Sequence, residues 1–322
     1  MKKKLSIAAL LVPLLFCNFT IAKTYKIAFG SCLDQEDPQP IWNSVKKENI
    51  NSFIFLGDNV YGDIPSGSLD FMKTAYAQQK KMLPDWLFKK DINVIWDDHD
   101  FGPNDANGSR IHKDIATEAF DLFWGNPTTG TADSEGITSA FQFNDADSFL
   151  LDNRTHRTPD ELAERETQIL GKEQIEWLID NLKYSRAPFK MVAVGGQVLN
   201  TAKRFENHAV YAEERKYLMR RIIEEKIEGV IFLTGDRHST ELSMYKADNG
   251  IEMYDLTVSP LTSKSYSPLD ETNNLRVEGT AIGEQNFGIL EFFGPRKERQ
   301  MKISIFDSDG NELWTKTLKS FS

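Results

Sequence analysis

The stretch SFIFLGDNVYGD, Ser52 to Asp63, runs from an apolar segment straight into a cluster of Gly, Asp and Tyr. A short apolar run closed by turn-forming residues reads as a buried strand, here Ser52–Leu56. In α/β sheets, ligands bind just beyond the carboxyl ends of strands. The clusters that follow the other apolar runs therefore decide how the chain is read. Tyr25–Gly30 ends in GSCLDQ (30–35), and Ile92–Trp96 ends in WDDHDFGPND (96–105). Later runs end in LLDNRTHR (150–157), GGQVLN (195–200) and TGDRHSTEL (234–242). Asp, Asn and Gly are residues that turns select, so one such cluster can be turn chemistry alone. Six at six strand ends point instead to one shared site.

Around these strands the periodicity predicts helices over Pro40–Glu48, Leu69–Met82, Ile111–Phe123, Lys172–Tyr184 and Glu213–Glu225. Ala140–Phe143 and Ser148–Leu151 read as a hairpin across NDAD, and Met191–Val194 and Gly229–Leu233 as further strands. After Glu241 strand-like runs dominate: Met253–Val258, Gly288–Phe293, Lys302–Phe306 and Leu313–Leu318, the last two joined by DSDGNE. The expectation is an α/β chain with a second, more antiparallel sheet late on.

The first residues read as a secretory leader: Lys2, Lys3 and Lys4, then an apolar run from Leu5 to Phe16, then Thr20-Ile21-Ala22. The mature chain is expected to begin at Lys23, as one domain over 23–322, exported to the periplasm or secreted. No segment of it is long enough to span a bilayer. A lipid on Cys17 is disfavoured by the bulky Phe16 before it. Of 322 residues 40% are hydrophobic, ample for a core. The net charge is −10, and removing the three leader lysines leaves −13, which argues against nucleic-acid binding through a basic face. Cleavage also leaves Cys32 as the one cysteine, in a compartment where disulfides form. A buried inert thiol is its bland reading.

A crowd of Asp side chains repels itself unless cations neutralise it. Asp58 can bridge two ions. Tyr61, three residues on, can return to the same ion, and a phenolate with the Cys32 thiolate favours Fe(III), which His238 would complete. Asp98, Asp236 and the amide oxygen of Gln197 suit a second, harder ion such as Ca²⁺. Strand-like alternation would let one of Asp97 and Asp98 face the metals.

In GSC, GDNVYGD, WDDHD followed by ND, LDNRTHR and GDRH, taken in this order, the chain resembles the alkaline phosphatase D (PhoD-like) branch of the metallophosphoesterases. The resemblance runs from about Ile27 to beyond Ser259. It implies a four-layer α/β/β/α sandwich of two mixed sheets flanked by helices. It also implies an exported phosphomonoesterase or phosphodiesterase using iron and calcium, with Zn²⁺ or Mn²⁺ as alternatives. Carried over, Cys32, Asp58, Tyr61 and His238 surround iron, and Asp58, Asp98 and Asp236 hold calcium. Asp98 and His99 stand where the wider superfamily has an Asn-His pair. Two departures leave the substrate open among small phosphate esters, lipid headgroups and polymers: no extra β-domain precedes the catalytic one, and the chain is compact.

The expected chemistry is in-line attack on phosphorus by a metal-activated water. His99 is the expected acid for the leaving oxygen, and Asp100 either orients it or caps the following loop. Arg154 and Arg237 are candidate phosphate ligands, with structural pairing to nearby acids as their bland reading. Two other readings compete: a cysteine hydrolase with Cys32 as nucleophile and His99 or His238 as base, and a non-catalytic exported metal- or phosphate-binding protein.

Overall fold

The computed structural model describes residues 24–62, 69–125, 135–143, 146–159, 162, 167–295 and 298–320. The leader with Cys17 and Ala22, Asp63 of the opening motif, and the Asn144-Asp145 tip of the hairpin lie outside the described residues.

Strands β1 (Tyr25–Gly30), β2 (Ser52–Leu56) and β3 (Asp91–Ile95) pair in parallel. Helices α1 (Ile41–Lys47) and α2 (Leu69–Met82) follow β1 and β2. A single turn, α3 (Asp98–Phe101), and then α4 (Lys113–Trp124) follow β3. The chain next forms the hairpin β4 (Ser139–Phe143) and β5 (Ala146–Leu150), then α5 (Lys172–Tyr184), β6 (Phe189–Val194), α6 (Ala212–Glu224) and β7 (Val230–Thr234). It closes with β8 (Glu241–Lys246), β9 (Glu252–Thr257), β10 (Asn286–Phe293), β11 (Gln300–Asp307) and β12 (Glu312–Lys319).

These strands make two mixed six-stranded sheets, ordered β12-β11-β10-β1-β2-β3 and β4-β5-β6-β7-β9-β8. The late strands therefore do not form a sheet of their own, as the sequence had suggested. The chain places β9 beside β7 in parallel and β10 beside β1 antiparallel, so its end completes both sheets. Local patterning carries no information on which earlier strand a late one joins. Glu241–Lys246, of which only Glu241 and Leu242 were read, as the end of a loop motif, is a strand because it pairs with β9.

Period-2 alternation shows how the layers stack. In β6, Phe189, Met191 and Ala193 join the core between the sheets, while Val192 and Val194 join the core beneath α5 and α6. In β7, Ile231 and Leu233 alternate in the same way with Val230 and Phe232. Phe189 meets Phe292 of β10 across the sheets, with ring centroids 5.7 Å apart. On the outer side of β2, Phe53 and Phe55 pack on Trp42 of α1, and Phe55 on Trp124 of α4. Helices thus cover both outer faces, which is the four-layer α/β/β/α arrangement.

The sheets join at their carboxyl-terminal edges. Ser31 N donates to Val258 O (3.2 Å), tying the end of β1 to the end of β9. Cys32 N donates to Gly57 O (3.2 Å) and Val258 N to Thr234 O (3.0 Å). Gly57 sits at φ +92°, and a Cβ there would lie 2.6 Å from the Asp97 Cβ. Gly57→Ala is therefore expected to lower stability by about 2 kcal/mol or more, from left-handed strain plus overpacking. The midpoint of chemical denaturation measures this; an unchanged midpoint would mean that the approach of β2 to Asp97 is not a constraint.

Candidate metal centre

Seven loops leave that shared edge, and the polar clusters of the sequence lie on six of them. Among the described residues of these loops, seven hold left-handed backbones without being glycine: Cys32 (φ 56°), Asp58 (φ 50°), Asp105 (φ 60°), Phe205 (φ 41°), Glu206 (φ 31°), Asp236 (φ 68°) and His238 (φ 49°). Such conformations cost of order 1–3 kcal/mol each and persist where the surroundings over-determine them.

Among the described residues the donors gather into four groups, each with its ligand atoms within 4.8 Å of one another: Cys32, Asp58 and His238; Asp58, Asp98 and His99; Asp97, Asp98 and Asp236; and Asp98, Asp105 and Glu206. Asp58 is shared by two of them and Asp98 by three, so the groups are contiguous. Both Asp97 and Asp98 face this cluster. Alternation does not apply, because Asp97 caps the one-turn helix that Asp98 begins. The Asp97 Oδ2 and Asp98 Oδ1 atoms are buried without a hydrogen-bond partner. A Cβ on Gly195 would sit 2.3 Å from that Asp97 oxygen, so the glycine leaves it open.

Burial, then the neighbouring Asp98 and Cys32, holds the Asp58 carboxyl well above the usual range. Burial, then Asp97 and Glu206, pushes Asp236 up to about 8. Burial raises Asp97 as well, against the pull of Arg154. Burial also acts to raise Asp98, but Arg154 and His99 outweigh it and hold that carboxyl below its usual value. A buried set of oxygen donors that resists ionising in the bare protein is chemically suited to hard cations.

The softer end of the cluster has its own support. Cys32 is fully buried, and burial pushes its thiol up to about 12. Ser259 Oγ donates to its sulfur (3.1 Å), with Ser31 Oγ at 3.5 Å. Ser263 Oγ donates to the Tyr61 hydroxyl (2.8 Å), which lies 3.2 Å from His238 Nε2. His238 Nδ1 donates to the Lys264 carbonyl, leaving the Nε2 lone pair to face the cluster. These hydroxyl donors stabilise a thiolate and a phenolate once a cation supplies the charge. The donor set therefore fits metals, with thiolate, phenolate and imidazole at one end and carboxylates at the other.

Three expected site residues stand elsewhere. Arg154 is a correction: it reaches no open surface, since it is fully buried and forked between Asp97 and Glu206, with Asp98 Oδ1 at 3.7 Å. It neutralises carboxylates, as a buried guanidinium must. Asp100 faces away from His99. It accepts from the Asn59 amide (3.1 Å), Asp97 N (3.1 Å) and the Tyr76 hydroxyl (2.9 Å), so it closes a capping box at the start of α3 and neither orients His99 nor caps the loop that follows. Gln197 does not line the cleft: its oxygen accepts from Asn200 (2.8 Å), and its nitrogen donates to Glu241 and Thr257. His99 lines the cleft, its ring 4.3 Å from that of Tyr61 and its Nε2 4.0 Å from Asp98. Arg237 lines the cleft above the cluster, held by Glu271 and Asn207 (both 2.8 Å).

Sequence reading missed Glu206, Asn153, Ser259 and Ser263. Asn153 Nδ2 donates to Asp97 Oδ1 (2.8 Å). Glu206 takes Arg154 and also Arg157 (2.8 Å). A signal existed for Glu206, because two arginines destined for burial in LDNRTHR require acids from another loop.

A profile of the family described as PhoD-like phosphatase matches residues 73–294. The chain belongs to the PhoD-like phosphatase family. As a family member it is a metal-dependent phosphoric ester hydrolase. The solved structure of PhoD superposes with a TM-score of 0.72 at 17% identity, over 93% of this chain and 72% of that one. The purple acid phosphatase PPD1 from yellow lupin (Lupinus luteus) seeds superposes with a TM-score of 0.62 at 11% identity, over 92% of this chain and 54% of that one. At these identities the likeness establishes the fold. Comparison with curated proteins finds no match.

The PhoD-like centre carries a signature in pH. Burial raises Asp236 to about 8, and Asp100 and Glu206 to about 7. All three are raised, so the metal-free folded protein keeps protons that the unfolded chain has released. Their contribution to stability is intact below about pH 4 and is lost as pH rises through 7 and 8. Metal-stripped protein should thus show a falling urea midpoint across that window, and saturating cations should remove the trend. A midpoint that rises with pH in the stripped protein would contradict the carboxylate cluster.

Proposed function

We propose that the chain is an exported phosphomonoesterase or phosphodiesterase whose Cys32, Asp58, Tyr61 and His238 hold Fe(III), while Asp58, Asp98 and Asp236 hold Ca²⁺. The observation that carries this is the run of donor groups joined through Asp58 and Asp98, which with Asp236 and His238 line a cleft of about 710 Å³. When bound, such ions supply Lewis acidity to phosphoryl oxygens and to water. The residues around them divide the rest of the task. His99, 12% exposed and packed on Tyr61, is placed to give a proton to the leaving oxygen. Arg237 presents its guanidinium to the cleft and is held in orientation by Glu271 and Asn207. Arg154 keeps the carboxylates in place from beneath.

The cysteine-hydrolase reading has little support. Cys32 does not line the cleft, is fully buried, and has its thiol raised rather than lowered. Family membership counts against a non-catalytic binding protein. Export rests on the leader, and no helix among the described residues is long and apolar enough to cross a membrane.

The first test is the metal content and visible spectrum of the purified mature protein. Stoichiometric iron is expected, with a colour that fades in Tyr61→Phe; a colourless protein holding zinc or manganese would remove the case for iron. Chelation should abolish hydrolysis, and thiol alkylation of the holoenzyme should spare it. His99→Ala should lower kcat about 10²–10⁴-fold for an alkyl phosphate and far less for 4-nitrophenyl phosphate, whose leaving group needs no proton. Equal losses on both would reject the acid role. The mass of the exported chain should correspond to a start at Lys23.

A further inference from the structure

Two large aromatic rings stand open to solvent in the cleft of this phosphoesterase. Phe205, in the loop after β6, is 60% exposed, and Tyr266, in the loop after β9, is 54% exposed. Rings of this size are ordinarily buried, and exposed aromatics beside a reaction centre mark binding surfaces. Both flank the same turn of the metal centre. The guanidinium of Arg237 lies 4.7 Å from the Phe205 centroid, and the ring of His238, the next residue, lies 5.7 Å from that of Tyr266. Tyr266 N also donates to His238 O (2.8 Å), which fixes its loop to the centre.

The backbone at Phe205 is arranged against its own preference. Phe205 (φ 41°) and Glu206 (φ 31°) both hold left-handed conformations. That sends Glu206 down to Arg154 and Arg157 while the adjacent phenyl ring stands in the cleft. Covering Arg237 is a structural use for the ring, but it does not account for the area left open. Each ring also carries a cation from its own loop, with Arg204 4.6 Å from Phe205 and Lys264 5.3 Å from Tyr266.

We infer that the cleft selects phosphate esters whose leaving group carries a planar aromatic ring, which stacks on Phe205 and Tyr266 while the phosphoryl group sits at the metal centre. The inference rests on the phosphoester reading of that cleft. Stacking is tolerant of ring identity, so a nucleobase and a simple aryl group satisfy it equally.

The test compares esters with matched leaving alcohols on the metal-loaded enzyme. Adenosine 5′-monophosphate is set against ribose 5-phosphate, and 2-phenylethyl phosphate against 2-cyclohexylethyl phosphate. Both kcat/KM and binding by calorimetry are measured. The ring-bearing ester should lead by about tenfold in at least one pair. A lead in the first pair alone identifies a nucleoside leaving group; a lead in both identifies any aryl group. Phe205→Ala and Tyr266→Ala should each reduce that ratio about fivefold or more, and Phe205→Tyr and Tyr266→Phe should keep it. Equal loss on both members of a pair would mean a structural role and overturn the inference, as would equal preference in the wild type. Tighter binding of the ring-bearing ester with turnover of none would uphold the inference and sink the hydrolase reading instead.

Discussion

Carboxylates buried side by side repel, and the molecule is arranged around that repulsion. Two like charges 4 Å apart cost about 4 kcal/mol at the effective dielectric of a protein site. Asp58, Asp97 and Asp98 are all buried at one edge, with Asp236 and Glu206 among the charges that raise one another. Arg154 offsets part of this from below, fully buried and shared among Asp97, Asp98 and Glu206. The remainder is left to cations from above, through oxygens that no hydrogen bond occupies. The floor of the site is thus a half-neutralised anion, and it is complete when metals bind.

That floor exists only because two sheets end together. The parallel strands bring their loops to one edge, and the Ser31–Val258 bond closes the seam between them. Left-handed backbones occur at Cys32, Asp58, Asp236 and His238 along the seam. Hydroxyls from the loop after β9 then meet the sulfur and the phenol. Support for the soft donors and the wall bearing Tyr266 accordingly come from the same stretch, Ser259 to Tyr266. Chemistry and substrate contact are therefore coupled through one loop.

Much of this was legible in the sequence. The order of strand-end clusters announced a shared site, because parallel strands must deliver their carboxyl ends to one edge. Cys32, Asp58, Tyr61, Asp98, Asp236 and His238 were readable there as candidate ligands, since thiol, phenol, imidazole and crowded carboxylates share few uses besides a metal, and the fold brings these side chains together. The helices and most strands followed from periodicity, which is local.

What only the tertiary structure decided is non-local pairing. Arg154 reads equally well as a phosphate ligand or a buried counter-ion; Glu206, 52 positions away, settles it. Gln197 offers a plausible oxygen, but Asn200 takes it. Asp100 sits beside His99 in the chain, yet one helical turn points it at Asn59 and Tyr76. The late strands carry no mark of which sheet they complete. Residue type and spacing determine what chemistry a loop can hold. Burial and partners brought from distant positions determine whether each group faces the metals, the cleft or the core.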